Sequence, residues 1–135
     1  MEALLHEAVR AGVAPTLASH FDRGERTPGL GHPLYPSGDP RAPALLERLD
    51  ELAVDPTRLA TIRSVIDGVV ERTGVPPNVD AALAALSVAT DMVPGAGEAI
   101  FVLARSAGWV AHALEQYDSS TFMRTRVDYI GRRPD

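Results

Sequence analysis

The sequence contains 135 residues, of which 45% are apolar and 5% aromatic, with a net charge of −5 and no cysteine. This length suits one domain with one core, and the lack of cysteine excludes disulfides and thiolate metal sites. Arginines occur singly or in pairs, so no continuous basic face exists and we expect no nucleic-acid partner. No apolar stretch approaches the roughly 20 residues of a membrane span. The N-terminal segment contains acidic residues, whereas a signal peptide carries positive charge there. We therefore expect a cytoplasmic protein without a membrane partner.

A core with so few aromatic residues must be built from Ala, Leu and Val, which favours an all-α fold of closely packed helices. Apolar residues recur at helical spacing over residues 2–11, and Gly12 supplies a stop. Pro15 predicts a short second helix that runs to about His20. The chain therefore begins with two consecutive helices.

The next segment, residues 22–38, follows no helical or strand period. It is rich in Gly and Pro, which predicts an ordered loop with a short extended pair around Arg26 and Leu34. Two Asp-Pro pairs then predict helix starts, at Asp39 and at Asp55. In each pair the carboxylate can cap free N–H groups, and proline suits the first helical position.

The second half of the chain contains the most apolar predicted helices. The helix that follows Asp55 should end near Gly74. Asn78 then caps a helix that is apolar almost all round, which predicts a buried helix. Residues 98–117 predict the most apolar helix, which Arg105 interrupts.

Two residues have a position that allows acid–base chemistry. Asp80 lies in the first turn of the helix capped by Asn78, so it is either an ordinary helix stabiliser or, beside a bound substrate, a general base. His32 lies in the Gly/Pro loop. It is either a solvated surface histidine or a group with one ring nitrogen towards a ligand and the other held by a backbone carbonyl. The four histidines show no close pairing, so we expect no metal site.

Two arginines are candidates for anion binding. Arg105 lies in an otherwise apolar helix, and a buried guanidinium must meet an anion to offset its desolvation. That anion is a structural carboxylate or an anionic ligand, unless the side chain reaches the surface. Arg41 lies in the first turn of its helix, where the dipole disfavours a cation, and this favours a role with a bound carboxylate.

Four segments together resemble the C-terminal portion of the citrate synthase family. In chain order they are PGLGHPLYPSGDPRA (28–42), GVPPNVDAALAAL (74–86), LARSAGWVAHALEQY (103–117) and MRTRVDYIG (123–131). The resemblance implies that residues 1–95 form the small domain of that family. It also implies that residues 96–135 form a last helix and tail that pack on a large domain absent from this sequence.

The resemblance implies specific roles for five residues, because members of this family condense acetyl-CoA with oxaloacetate to give citrate. His32 matches the histidine that hydrogen-bonds the oxaloacetate ketone, and Asp80 matches the base that removes the methyl proton of acetyl-CoA. Arg41, Arg105 and Arg124 match arginines that hold the carboxylates of oxaloacetate and citrate. Since the family is dimeric, Arg124 is implied to reach the site of a partner subunit.

The loop before His32 matches the segment that recognises the adenine of CoA. The residues implied in acetyl-CoA binding are Pro28, Gly29, Leu30 and Gly31. Glycine there lets a nucleotide approach the main chain closely. Two positions differ from the usual family pattern: Pro33 follows the histidine, so another short 2-oxo acid is an alternative to oxaloacetate, and Thr125 replaces a proline beside Arg124.

A second catalytic histidine of the family, in a His-Gly-Gly motif, lies upstream of this sequence. Neither His6 nor His20 is followed by two glycines. Because a missing electrophilic donor costs a factor of about 10² to 10³, we expect no appreciable turnover by the chain alone. Three alternatives follow: a synthase part completed by a partner subunit or in a homo-oligomer, a non-catalytic remnant that binds CoA or a dicarboxylate, and an assembly module that docks through the Trp109 helix.

Overall fold

A computed structural model describes residues 1–119 and shows that they form α-helices joined by loops. The helices are α1 (Glu2–Ala11), α2 (Val13–Asp22), α3 (Arg41–Arg48), α4 (Pro56–Thr73), α5 (Val79–Ala89) and α6 (Ala96–Asp118). A short 3-10 turn, Leu49–Glu51, continues α3. The described residues contain no β-strand, which confirms the all-α prediction for this part of the chain.

Local capping signals fix the ends of α4 and α5 as the sequence predicts. The Asp55 carboxylate accepts the Arg58 N–H at 2.7 Å, with Pro56 in the first turn. Gly74 ends α4 in the left-handed conformation with φ of 68°. The Asn78 side chain accepts the N–H groups of Asp80 and Ala81 and so begins α5.

The Gly/Pro loop pairs differently from the prediction. The expected extended pair around Arg26 and Leu34 is wrong, because Leu30 instead forms an isolated antiparallel bridge with Pro77. The Gly31 N–H donates to the Pro76 carbonyl at 2.8 Å, and the Asn78 N–H donates to the Gly29 carbonyl at 2.9 Å. The loop is therefore joined to the segment that leads into α5, about 45 residues further along the chain.

The core lies between α1, α4 and α5. Its buried residues are Leu4, Leu5, Ala8, Leu49, Ile62, Val65, Ile66, Val69, Ala84, Ala85, Val88 and Ala89. Nearly every residue of α5 is buried, which confirms the prediction from its all-round apolar pattern. This burial fixes the position of the first turn of α5, where Asp80 lies.

The chain divides into two compact units. The first is Met1–Val102, which contains α1 to α5 and the start of α6, and the second begins at Leu103. None of the helices in residues 1–119 has the length and apolar content needed to cross a membrane.

Candidate functional site

An open cleft of about 730 Å³ lies beside the first turn of α5. Its lining residues are Arg26, Thr27, Pro28, Gly29, Leu30, Gly31, His32, Pro33, Val75, Asn78 and Asp80. The cleft thus brings together both predicted catalytic residues, His32 and Asp80, and the whole predicted CoA segment, 28–31. Its volume lies in the range typical of small-molecule sites.

Asn78 joins the two walls of this cleft. Its side-chain oxygen accepts the Asp80 N–H at 2.9 Å, and its side-chain nitrogen donates to the Gly31 carbonyl at 2.8 Å. One buried amide therefore caps α5 and also holds the loop that carries His32. The position of His32 relative to Asp80 depends on this amide, because its oxygen and its nitrogen each form a hydrogen bond with a different wall of the cleft.

The backbone conformation and close packing of the loop that forms this wall of the cleft require glycine at Gly29 and Gly31. Gly29 has a φ of +88°, and a Cβ there would lie 3.2 Å from the Ala81 nitrogen. Gly31 has a φ of +64°, and a Cβ there would lie 3.2 Å from a methyl carbon of Val75. The conformation suits glycine, and the loop lies directly against α5.

His32 has a hydrogen bond that sets its tautomer. The Leu34 N–H donates to Nδ1 of His32 at 3.1 Å, where a backbone carbonyl was expected. The expected partner is therefore wrong. Because Nδ1 accepts, the proton of the neutral ring is on Nε2, and His32 can act as a hydrogen-bond donor through that atom. If Nδ1 had instead donated to a backbone carbonyl, Nε2 of the neutral ring would have been an acceptor.

Asp80 is exposed in the first turn of α5, among the residues that line the cleft. The α5 backbone around it is buried, so a rigid helix carries an accessible carboxylate. This arrangement suits either of the sequence interpretations of Asp80, a helix stabiliser or a base.

Arg41 lies outside the residues that line this cleft and has a partner of its own. Its Nε and one terminal nitrogen each donate to the Asp39 carboxylate at 2.8 Å. Its guanidinium also lies over the Tyr35 ring, 5.7 Å from the centroid, and that ring is 4.9 Å from the ring of His32. Arg41 is therefore linked to His32 through Tyr35, and Asp39 offsets its charge.

Asp39 is the most strongly bound acid of the site. Its side chain is fully buried and also accepts the N–H groups of Arg41, at 3.1 Å, and of Val79, at 2.9 Å. The guanidinium of Arg41 holds the pKa of Asp39 well below its usual range, with the two backbone N–H groups acting in the same direction against burial. Asp39 thereby ties the start of α3 to the start of α5.

The other two predicted arginines, Arg105 and Arg124, follow Val102, the last residue of the first compact unit. Arg105 is exposed on α6, which agrees with the surface position that the sequence analysis left open beside pairing with an anion. The apolar residues around it in sequence are largely exposed as well, so hydration offsets its charge. Arg124 lies outside the described residues. Among residues 1–119 no three His, Asp or Glu side chains are grouped to hold a metal ion.

Sequence reasoning missed three contributors to the site. Asp39 and Asn78 were interpreted only as helix caps, and Tyr35 was given no role. Their long-range partners lie 40 and 47 residues away, at Val79 and Gly31, so no local pattern could reveal them. The one available signal was that the Asp-Pro pair directly precedes Arg41 and that Asn78 lies two residues before Asp80.

The fold and the cleft define an all-helical domain with an accessible imidazole and carboxylate beside a small-molecule hollow. Residues 1–126 match the family described as "Citrate synthase, C-terminal domain". The chain therefore belongs to the citrate synthase family.

Similar proteins agree with this assignment. Citrate synthase 2 of Bacillus subtilis is 34% identical over 120 residues, which cover 87% of this chain and 32% of that protein. Citrate synthase of Haloferax volcanii is 36% identical over 116 residues, which cover 84% of this chain and 31% of that protein. The 2-methylcitrate synthase 2 of Corynebacterium glutamicum is 34% identical over 110 residues, which cover 76% of this chain and 28% of that protein. The chain thus spans about a third of the length of these relatives.

A solved structure shares the fold. Citryl-CoA lyase from Hydrogenobacter thermophilus superposes with a TM-score of 0.77 at 24% identity, covering 99% of this chain and 56% of that one. At this identity the likeness supports the helical architecture alone.

Proposed function

We propose that this chain is the small-domain part of a citrate synthase-type acyltransferase that condenses acetyl-CoA with oxaloacetate or a related 2-oxo acid. The observation that carries the proposal is that His32, Asp80 and the backbone of Pro28–Gly31 line one cleft. In the proposed arrangement, residues 1–95 and the last helix and tail pack on a large domain. A partner subunit, a second copy or another part of the same polypeptide supplies that domain, and the location is cytoplasmic.

His32 and Asp80 have complementary parts in the proposed condensation. Asp80 takes a proton from the methyl carbon of the acyl thioester, and the resulting enolate carbon attacks the ketone of the oxo acid. Water then cleaves the thioester of the adduct and releases the CoA thiol. The Nε2–H of His32 donates to the ketone oxygen, where negative charge develops. This donor role agrees with the tautomer that the Leu34 N–H selects.

The carboxylates of the oxo acid are assigned to arginines in this proposal. Arg41 is 42% exposed in its side chain, so a bound carboxylate can reach the face that Asp39 leaves open. Arg105 is exposed on α6 and is available to a ligand. Arg124 keeps the role implied by the family resemblance, in the site of a partner subunit.

The purified chain is expected to release no free thiol above the uncatalysed rate from acetyl-CoA and oxaloacetate. The upstream histidine that would polarise the thioester is absent from this sequence, and its loss costs a factor of about 10² to 10³. The measurement is thiol release with acetyl-CoA and, because 2-methylcitrate synthases are among the relatives, with propionyl-CoA.

Saturable binding of CoA, measured by calorimetry, supports the proposed site. The Asp80→Asn chain is the control, because this substitution keeps the wall of the cleft. Ready turnover would contradict the proposed inactivity, and absence of CoA binding would contradict the cofactor assignment.

A second candidate function is protein assembly through α6. Its exposed large apolar residues include Leu103 at 74%, Val110 at 59% and Leu114 at 59%. A monomer seldom leaves so many apolar side chains of one helix in water, which favours a protein surface as their partner.

The assembly function predicts that the chain self-associates through α6. Leu103→Gln/Leu114→Gln should shift sedimentation from a larger species to the monomer, because both changes remove exposed apolar area. The matched control is Leu34→Gln, since Leu34 is 78% exposed but lies in the loop. Self-association without any CoA binding would favour assembly over the acyltransferase proposal, and a monomeric wild-type chain would remove the support for self-assembly.

A further inference from the structure

His20, in the last turn of α2, is a buried titratable residue with no part in the proposed chemistry. It is 4% exposed. Its Nε2 lies 2.8 Å from the Thr27 hydroxyl oxygen, and its Nδ1 lies 3.4 Å from a Glu25 carboxylate oxygen. The edge of the ring also packs against Phe21, with centroids 5.4 Å apart. The imidazole is thus enclosed by the segment that leads into the cleft loop.

The two nitrogens of His20 have different roles. Glu25 is ionised, because its hydrogen bond with Arg23 lowers the pKa of the carboxyl. An ionised carboxylate can only accept, so the Nδ1 proton of His20 faces Glu25. In the neutral ring, Nε2 is then the acceptor of the Thr27 hydroxyl proton. Thr27 itself is 9% exposed, so this hydrogen bond joins two buried side chains.

The loop that follows Thr27 has open space on two sides. Besides the cleft, a second hollow of about 430 Å³ is lined by residues that include Phe21, Arg26 and Arg72. Thr27 and Leu30 line both hollows. Leu30 packs against the core and Gly29 lies against α5, so it is the part of the loop before them, at Thr27 and Pro28, that depends on hydrogen bonds for its position.

The hydrogen bonds hold the loop at both of its ends. Asn78 binds the carbonyls of Gly29 and Gly31 at the end nearest His32. The His20–Thr27 bond holds the opposite end, directly before Pro28. The segment between these two points is the one assigned to the adenine of CoA.

We infer that His20 is a positioning residue for CoA binding: through its hydrogen bond to Thr27 it sets the backbone of Pro28–Gly31 against the cleft. The inference rests on the proposed function for its ligand, but the placement of the loop is a property of the chain alone. His20 touches no substrate in this arrangement and acts only through Thr27. Rigidity at that point lowers the cost of ordering the loop when the nucleotide binds.

The test compares four single variants of the full chain, and the double variant His20→Leu/Thr27→Val, by two measurements. His20→Leu and Thr27→Val each remove the hydrogen bond, and His20→Gln keeps a polar atom near the position of Nε2. Thr61→Val is the matched control, because the Thr61 hydroxyl bonds to the Thr57 carbonyl on the exposed face of α4. The measurements are the NMR amide shifts of Gly29 and Gly31, and the dissociation constant for CoA.

His20→Leu and Thr27→Val should shift both glycine amides and raise the dissociation constant about fivefold to tenfold. The double variant should be no worse than either single one, since both remove the same bond. His20→Gln and Thr61→Val should stay within twofold of the wild type. Rescue by His20→Gln separates positioning from a general loss of stability, which thermal unfolding monitors in parallel.

Unchanged glycine amides in His20→Leu and Thr27→Val would overturn the inference, as would additive effects in the double variant. If His20→Leu fails to fold, Thr27→Val against Thr27→Ser provides the same comparison, because serine retains the hydroxyl. If the wild-type chain binds no CoA, the proposed function loses its ligand, while the glycine amides still decide whether His20 places the loop.

Discussion

Replacement of Asp39 by Asn should lower the free energy of unfolding by about 2–3 kcal/mol. The wild-type carboxylate is fully buried and accepts hydrogen bonds from the Arg41 side chain, the Arg41 N–H and the Val79 N–H. An amide has a single acceptor oxygen, so at least one of these donors is left without its partner, and the guanidinium loses its counter-charge. Urea unfolding followed by circular dichroism measures the change.

Asp55→Asn is the matched control for this change. Asp55 also precedes a proline and caps a helix, but its one described bond, to the Arg58 N–H, is exposed. Because Asn caps helices about as well as Asp, this control should differ from the wild type by less than about 0.5 kcal/mol. Equal effects of the two substitutions would show that Asp39 is only a helix cap and would contradict its role as a tether.

The same carboxylate predicts an acid-sensitive stability. The pKa of Asp39 is lower in the folded chain than in the unfolded chain, so its contribution is fully present above the unfolded value of about 4. That contribution falls as the pH drops from about 5 towards the folded pKa. The Asp39→Asn chain lacks this contribution at every pH. The difference in free energy of unfolding between the wild-type and Asp39→Asn chains should therefore become smaller in acid. A gap that is constant from pH 7 to pH 3 would be inconsistent with an ionised Asp39.

The helices were predictable from sequence where their ends depend on neighbouring residues. Asp55, Gly74 and Asn78 act within a few residues of the backbone groups that they satisfy, and the structure places all three as predicted. The burial of α5 was equally predictable, because an apolar residue at almost every position leaves no face for water. These features together position Asp80.

The long-range contacts of the site were not predictable in the same way. Two Asp-Pro pairs have the same local signal, yet Asp55 is an exposed cap and Asp39 a buried tether to Val79. The difference depends on which element packs against each aspartate, and a single sequence does not contain that information. The partner of His32 was wrong for a related reason, since the turn after it directs an N–H and not a carbonyl at the ring.

Apolar content alone did not decide the environment of Arg105. The apolar sequence of α6 predicted that the guanidinium would pair with an anion unless its side chain reached the surface. Leu103 and Trp109 are 74% and 49% exposed. An apolar face shows that a helix needs a partner surface, but it does not show that the same chain supplies that surface.

Gly29→Ala is the second substitution with a large expected effect, a loss of about 3 kcal/mol in the free energy of unfolding. Two costs combine at this position. The φ of +88° disfavours any residue with a Cβ, and the new methyl would lie 3.2 Å and 3.3 Å from the Ala81 nitrogen and Cα. Those atoms belong to the buried first turn of α5, which cannot move without disturbing the core.

Gly24→Ala separates these two costs. Gly24 has a φ of +64°, and nothing lies within 4 Å of the position of a Cβ there, so its substitution carries only the conformational cost of about 1 kcal/mol. The difference between the two variants therefore measures how closely the loop is pressed against α5. Because Gly29 lies in the wall that also carries His32, the Gly29 variant should lose CoA binding while the Gly24 variant retains it. Equal losses of stability would mean that the loop can move away from α5, and the cleft would then have no fixed wall on which the proposed chemistry could depend.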